Sequence, residues 1–113
     1  MRYALLVCVE ENSDQTEEDI ERQYAEFMGF QDEMEARGVL VSRERLRSTS
    51  LSTIVRVRDG GLVVADGPFA ETKEPIAGFY IIECEDLDEA IEIASRNPGA
   101  RYGTVEVRPV WGI

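Results

Sequence analysis

The order of strand-like and helix-like segments predicts an α+β fold in which an antiparallel sheet carries two helices on one face. The segments run β-α-β-β-β-β-α-β, a ferredoxin-like arrangement with an extra central hairpin. The two most hydrophobic strands, residues 3–9 and 78–84, are apolar on both faces and should lie centrally. Because two helices cover only one face, a partner sheet is expected on the other. The sequence therefore predicts a homodimer with a closed or half-closed barrel between the two subunits.

The segment after the first strand has the features of an amphipathic helix. Thr16 can cap its start, and the acidic residues that follow favour the positive end of a helix. One apolar face recurs at four- and three-residue steps: Ile20, Tyr24, Phe27, Gln31 and Met34. Tyr24 and Gln31 are interpreted as core residues with satisfied polar tips. The helix should end at Arg37-Gly38.

Turn signals divide the middle of the chain into short strands. Residues 39–47 and 53–58 are predicted strands, separated by a loop at residues 48–50. Asp59-Gly60-Gly61 predicts a hairpin turn that requires positive φ, before a short strand at residues 62–65. This hairpin is the extra element of the fold.

The last third of the chain predicts a second helix and an edge strand. Asp86 and Glu89 can form a capping box. The helix should close at residues 97–99, and its predicted buried stripe is Leu87, Ala90, Ile91 and Ala94. Residues 104–110 form the final strand, which we place at an edge or a bulge because Pro109 cannot donate a ladder hydrogen bond.

Composition excludes several classes of function. The chain of 113 residues, 43% of them hydrophobic, can form one domain over residues 1–113 with a real core. Its net charge of −11 opposes nucleic-acid binding, because a phosphate backbone repels an acidic surface. The longest apolar run, residues 4–9, is far shorter than the ~20 residues of a membrane helix. Without a basic segment before it, a signal peptide is not predicted either, and a bacterial cytoplasmic protein is expected.

The cysteine and histidine content bears on metals and cofactors. Cys8 and Cys84 lie in apolar strand patterns, which favours two reduced core thiols, with a disulfide or a redox pair as the alternative. The chain has no histidine and no paired-cysteine spacing. Neither a metal site nor a cofactor is therefore predicted.

Charge is distributed unevenly along the chain. Residues 10–35 contain eleven acids and one base, Arg22, whereas residues 37–58 contain six arginines. One interpretation is that the acidic helix, through Glu26 and Glu33, neutralises these arginines. The other is an arginine-lined pocket for an anionic ligand, since guanidinium groups pair well with carboxylate or phosphate.

Strand parity groups the arginines into two sets. Arg43, Arg45 and Arg47 share one face of their strand, and Arg56 and Arg58 share one face of the next. If these faces coincide, the like charges need acids or a bound anion between them. Of these, Arg43, Arg45 and Arg56 are the predicted ligand contacts.

The most informative stretch is residues 66–74, DGPFAETKE, which combines a turn, an aromatic ring and four ionisable groups between two predicted strands. Asp66 either fixes the turn or acts as a base in a cleft, and it is the candidate catalytic residue. Phe69 is interpreted as a core anchor rather than a ligand-stacking ring. Lys73, the only lysine, and Glu74 form a loop ion pair or hold an anionic ligand, and both are candidate ligand contacts.

These residues resemble the YCII-related, or DGPF-domain, family. The matching stretches are residues 1–6, 53–60, 66–74, 78–82 and 105–111. The resemblance implies ferredoxin-type subunits paired as dimeric α/β barrels, with a site in the cleft. Some genes of the type lie near alternative sigma factors, and one branch acts in the breakdown of chlorinated aromatics through a histidine–aspartate pair.

This chain departs from that branch because it has no histidine. The histidine-dependent activity is therefore not carried over, whereas Asp66 carries over as the candidate site residue. Any catalysis should depend on carboxylates, on Lys73 or on a tyrosine with a displaced pKa.

Two functions of different classes follow from the sequence. The first is a dimeric small-molecule-binding protein with cofactor-independent lyase or isomerase activity on an organic acid or aromatic compound. The alternative is a non-catalytic regulatory or interaction protein linked to a sigma-factor circuit. A pocket lined by Asp66 and arginines would favour the first, and a sealed dimer centre the second. A monooxygenase of the related dimeric-barrel class is a third, weaker reading that rests on fold only.

Overall fold

The central sheet of the computed structural model contains four antiparallel strands in the order β2-β5-β1-β6. The structure describes residues 1–11 and 14–112. In chain order its elements are β1 (Arg2–Cys8), α1 (Glu17–Ala36), β2 (Leu40–Arg45), a 3-10 turn (Thr49–Leu51), β3 (Thr53–Arg58), β4 (Gly61–Asp66), β5 (Ile76–Glu83), α2 (Leu87–Ser95), α3 (Gly99–Tyr102) and β6 (Thr104–Pro109). The α+β class is confirmed, and the strand order is compatible with the ferredoxin-like arrangement.

Strands β1 and β5 lie in the centre of this sheet, as their two apolar faces predict. Leu5 pairs with Tyr80 on one side and with Val107 on the other. Strand β6 is an edge strand, in agreement with the position of Pro109 in the sequence. Strands β3 and β4 pair with each other as a separate two-stranded hairpin, which we call the arm. The two arginine-bearing strands, β2 and β3, are therefore not neighbours, because β2 pairs with β5 and β3 pairs with β4.

Both long helices pack on one face of the sheet and form the core. Leu5 and Ile82 from the sheet, Met34 from α1 and Ile93 from α2 are completely buried in one cluster. Burying each such side chain contributes about 1.5–3 kcal/mol to folding. The helix ends follow the predicted caps: Thr16 and Asp19 form a reciprocal capping box on α1.

Helix α2 buries a different stripe from the predicted one. Its N-cap Asp86 accepts a hydrogen bond from the backbone N–H of Glu89, as expected. Ala90, Ile93 and Ala94 face the core, however, whereas Leu87 and Ile91 are about half exposed. A helix of nine residues presents only a narrow stripe to the sheet, and these two side chains lie on its flank.

The acidic residues of α1 pair with the other helices, so their predicted pairing with strand arginines is wrong. Glu33 binds Arg96, with one Nη2–Oε2 distance of 2.7 Å, and this contact lowers the pKa of the Glu33 carboxyl. Glu26 accepts hydrogen bonds from the Tyr102 hydroxyl and from Arg101, which lower its pKa. The reason is spatial, since all three helices lie on the same face of the sheet.

Both cysteines are free thiols, as predicted. Cys84 is buried in the core cluster, and Cys8 is half-buried in β1. Burial raises the pKa of each thiol, which favours the protonated form at neutral pH.

The chain is flat, with extents of 47 × 43 × 18 Å and a radius of gyration of 16.1 Å. A compact chain of this length has a radius of gyration of about 13 Å. Its accessible surface is 8033 Å², whereas roughly 6,200 Å² is typical for this mass. The accessible surface thus exceeds the typical value by roughly 1,800 Å².

Candidate functional site

An open cleft of about 710 Å³ lies between the first half of α1 and the helix-facing side of β1, β5 and β2. We call it the α1 cleft. Helix α1 contributes Tyr24, Phe27 and Met28 to one wall, and β5 contributes Tyr80 to the opposite wall. These two walls are therefore mainly apolar and aromatic, whereas the rest of the lining includes charged residues of both signs.

The cleft exists because α1 is longer than the strands it packs on. Its 20 residues extend about 30 Å, whereas the seven residues of β1 extend about 23 Å. Phe30 and Met34 in its second half are 5% and 0% exposed, but Tyr24 in its first half is 56% exposed. The interpretation of Tyr24 as a core residue is therefore wrong, while Gln31 is buried as predicted.

Tyr80 is the polar-tipped aromatic residue that β5 contributes to the cleft. Its ring meets the edge of Phe30 at a centroid distance of 5.1 Å. Burial raises the pKa of the Tyr80 hydroxyl, and this effect exceeds the opposing influence of Asn97 and Arg43. The hydroxyl is therefore protonated at neutral pH and can donate a hydrogen bond.

Arg43 and Arg45 stand at the β2 side of the cleft. In the register of the sheet they pair with Tyr80 and Gly78, so both lie on the helix-facing side, and they share one face as parity predicts. Gly78 is required here, because a Cβ atom would lie 2.8 Å from the carbonyl oxygen of Glu44. Within residues 1–11 and 14–112, neither Arg43 nor Arg45 forms a salt bridge.

Two of the acids that line the cleft are engaged elsewhere. Asp19 accepts the Thr16 backbone N–H and contacts Arg22, and these interactions lower its pKa. Glu11 is bonded to the 3-10 turn, chiefly through the backbone N–H of Thr49, which also lowers its pKa. Glu10 and Glu44 also line the cleft, but among residues 1–11 and 14–112 no carboxylate lies within salt-bridge distance of Arg43 or Arg45.

The stretch at residues 66–74 lies outside the residues that line the α1 cleft. Asp66 is exposed at the end of β4, and the backbone N–H of Gly67 donates to the Ser52 carbonyl at 2.8 Å. A Cβ atom on Gly67 would lie 2.6 Å from the Ser52 Cβ, so glycine is needed for this close turn. A second, shallower groove of about 400 Å³ separates this loop from the 3-10 turn.

Phe69 is not a core anchor, so that prediction is wrong. Its side chain is 73% exposed, because no helix or strand of the described chain covers the loop that carries it. The guanidinium carbon of Arg56 lies 4.9 Å from its ring centroid, a cation–π contact within the arm and its loop. Arg56 is therefore engaged here and not in the α1 cleft.

The two remaining candidates lie near the start of β5. Lys73 is exposed. Glu74 is half-buried and accepts a hydrogen bond from the Thr104 hydroxyl at 2.9 Å. Within one chain, the structure thus brings together Arg43 and Arg45 but leaves the other candidates outside the cleft.

The aromatic wall of the cleft was missed by the sequence reasoning, which assigned the whole stripe of α1 to the core. A signal was present in the lengths of the segments. A helix of about 30 Å cannot be covered along its whole length by strands of about 23 Å, so one end of its stripe had to remain open.

No group of acids and cysteines suited to a metal ion occurs among the residues that the structure describes. In the same part of the chain, none of the helices combines the length and the apolar character needed to cross a membrane. The cleft can therefore bury an apolar group of a ligand, pair an anionic group with arginine and donate a hydrogen bond from a tyrosine.

These features define an α+β protein with a ferredoxin-like strand order and an open cleft under its first helix. Residues 1–113 match the YCII-related domain. The uncharacterized protein R00369 of Rhizobium meliloti (strain 1021) is 38% identical over 114 residues, covering 97% of this chain and 92% of that protein. The chain belongs to the YCII-related family, as the resemblance at residues 66–74 indicates.

Proposed function

We propose that this protein is a homodimeric small-molecule-binding protein that holds an aromatic or apolar organic acid in the α1 cleft. The observation that carries this proposal is the pairing of an uncovered aromatic wall with two arginines that form no salt bridge in the described chain. A cleft of about 710 Å³ falls within the usual size of ligand sites, roughly 300–1,000 Å³.

The cleft offers each part of such a ligand a matching environment. Tyr24 and Phe27 provide apolar area for a ring, and Arg43 and Arg45 provide charged donors for a carboxylate. The protonated hydroxyl of Tyr80 can donate to a second oxygen. A neutral phenol lacks the charge that the arginines would bind, so a carboxylic acid is the better match.

The homodimer is supported by the helix-free face of the sheet. Leu6 of β1 and Phe79 and Ile81 of β5 are half-buried side chains on that face. The excess surface of roughly 1,800 Å² over a typical protomer is similar to what each subunit contributes to a large homodimer interface. A partner sheet would cover these side chains.

Lyase or isomerase activity needs a base in addition to a binding site. We keep Asp66 as the proposed base, with Lys73, Glu74 and Arg56 as proposed ligand contacts. Since these residues lie outside the α1 cleft of their own chain, their participation requires a second copy. On this proposal, Asp66→Asn removes turnover but leaves the binding of the acid unchanged.

A binding experiment tests the central part of the proposal. Isothermal titration and thermal unfolding with benzoate, phenylacetate and phenol should show binding of the acids and much weaker binding of phenol. An acid present at about 100 times its dissociation constant should add about 2.7 kcal/mol to the free energy of unfolding. Arg43→Gln should weaken binding, whereas the matched control Arg58→Gln, on the arm, should not.

Two outcomes would contradict the proposal. Equal loss of affinity in the two variants would mean that the arginines act only through overall charge. Absence of any shift with the wild-type protein would remove the small-molecule function and favour the non-catalytic alternative, an interaction protein in a sigma-factor circuit, which the uncovered surfaces of the arm also support.

A further inference from the structure

The arm has two chemically different faces. Cross-strand pairing sets Val55 opposite Val64 and Val57 opposite Leu62, so these four side chains share one face. Their exposed fractions are 63%, 58%, 64% and 69%, respectively. We call them the apolar arm face.

The opposite face is partly charged and partly covered. Arg56 pairs with Val63 in the register, and Arg58 pairs with Gly61. Phe69 from the following loop lies against Arg56 on the arm. The arm is therefore amphipathic, with one face suited to water and one suited to burial.

An isolated two-stranded hairpin is at best marginally stable in water. In the described chain, β3 and β4 form ladder hydrogen bonds only with each other. Soluble proteins rarely leave a contiguous apolar surface of this kind open to water. The apolar arm face therefore needs a surface that covers it.

A second copy of this chain is the occupant that the observations favour. The four side chains carry no charge, so the net charge of −11 does not act directly against contact at this face. The same protomer has a second uncovered apolar surface, formed by Leu6, Phe79 and Ile81 on the helix-free face of the sheet. The excess surface of roughly 1,800 Å² is larger than the roughly 800 Å² that each subunit contributes to a standard interface, so it is sufficient for a stable homodimer.

We propose that the arm binds a second copy of this chain through the apolar arm face. Each protomer then contributes one arm to the contact with the other. This inference rests on the homodimer of the proposed function and adds the part of the chain that holds it together. It is independent of the ligand in the α1 cleft.

Sedimentation of matched variants tests the proposal. Val57→Asp places a charge on the apolar arm face, and Val63→Asp places the same charge on the opposite face, beside Arg56. Val57→Asp should raise the dissociation constant of the dimer by about tenfold or more, and Val63→Asp should leave it nearly unchanged. Val57→Thr, which keeps a β-branched side chain, should give a smaller shift in the same direction.

Hydrogen exchange on the wild-type protein provides a readout that needs no variant. Amides at residues 53–66 should be protected at concentrations where the dimer forms and should lose protection on dilution. Unchanged exchange in dimer and monomer, or equal effects of the two aspartates, would overturn the role of the arm while leaving the dimer intact. A wild-type protein that sediments as a monomer would overturn both the arm contact and the homodimer, but not the ligand site.

Discussion

The carboxylate of Glu11 holds the 3-10 turn by accepting a hydrogen bond from the backbone N–H of Thr49 at 2.8 Å. The hydroxyls of Thr49 and Ser48 donate to the same carboxylate, each at 3.1 Å. These bonds favour the ionised form and lower the pKa of Glu11. Glu11, which follows β1, thereby positions the 3-10 turn that precedes the arm.

Glu11→Gln should lower the free energy of unfolding relative to the wild type. This loss should be larger at neutral pH than in acid. The folded-state pKa of Glu11 lies below its unfolded value of about 4.3. Its contribution is therefore complete above that value and is lost as the pH falls through the folded pKa. Denaturant unfolding between neutral and acidic pH measures the difference. Glu10→Gln is the control, and a pH-independent difference for Glu11→Gln would contradict the prediction.

Met34→Ala should destabilise the protein by about 2–5 kcal/mol, because Met34 is completely buried and its removal leaves a cavity. Met28 lies on the same helix, but it is half-buried and lines the α1 cleft. Met28→Ala should cost less, since water already reaches the site, and should instead weaken ligand binding. Equal losses in denaturant unfolding would mean that the cleft is closed in solution.

Phe69→Ala should have little effect on stability, on the order of 0.5–1 kcal/mol, because an exposed cation–π contact with Arg56 is its main loss. Phe30→Ala, at a ring that is 5% exposed, should cost about 3–5 kcal/mol. Thermal and chemical unfolding of the two variants give the comparison. A large loss for Phe69→Ala would place its ring in a buried environment that one protomer does not provide.

The single tryptophan should report assembly. Trp111 is 99% exposed in the protomer, and tryptophan is enriched at protein interfaces. We expect Trp111 to be covered in the proposed dimer, so that its fluorescence emission shifts to longer wavelength on dilution below the dissociation constant. Emission typical of a fully hydrated indole at every concentration would show that Trp111 takes no part in the interface.

Local chemistry was sufficient to predict most of the elements. The Thr16 cap, the Arg37-Gly38 stop and the turn at Asp59-Gly60 each depend on residues close in sequence, and the structure contains all three. The central positions of β1 and β5 followed from apolar residues on both faces. Pro109 predicted the edge position of its strand, because proline lacks a backbone N–H whatever its neighbours are.

Predictions that depended on tertiary neighbours were less successful. The partners of Glu33 and Glu26 are 63 and 75 positions away, so residue type alone could not select them. The exposure of Phe69 and Tyr24 depends on which other parts of the chain pack over each side chain. Strand and helix periodicity carries no information about that packing. Of the candidate site, parity predicted the shared orientation of Arg43 and Arg45 but not the aromatic wall opposite them.

Strand β2 ends beside the start of β5: Arg45 pairs with Gly78, and the backbone N–H of Leu46 donates to the Ala77 carbonyl at 2.8 Å. Residues 47–75 therefore leave and re-enter the sheet at the same place, as an insertion into what would otherwise be a tight hairpin. A two-residue Asn-Gly turn could join the strands directly. The strands of the arm thus take no part in the ladders of the helix-backed sheet. We expect that the arm can be lengthened, exchanged or deleted while the register of that sheet is preserved.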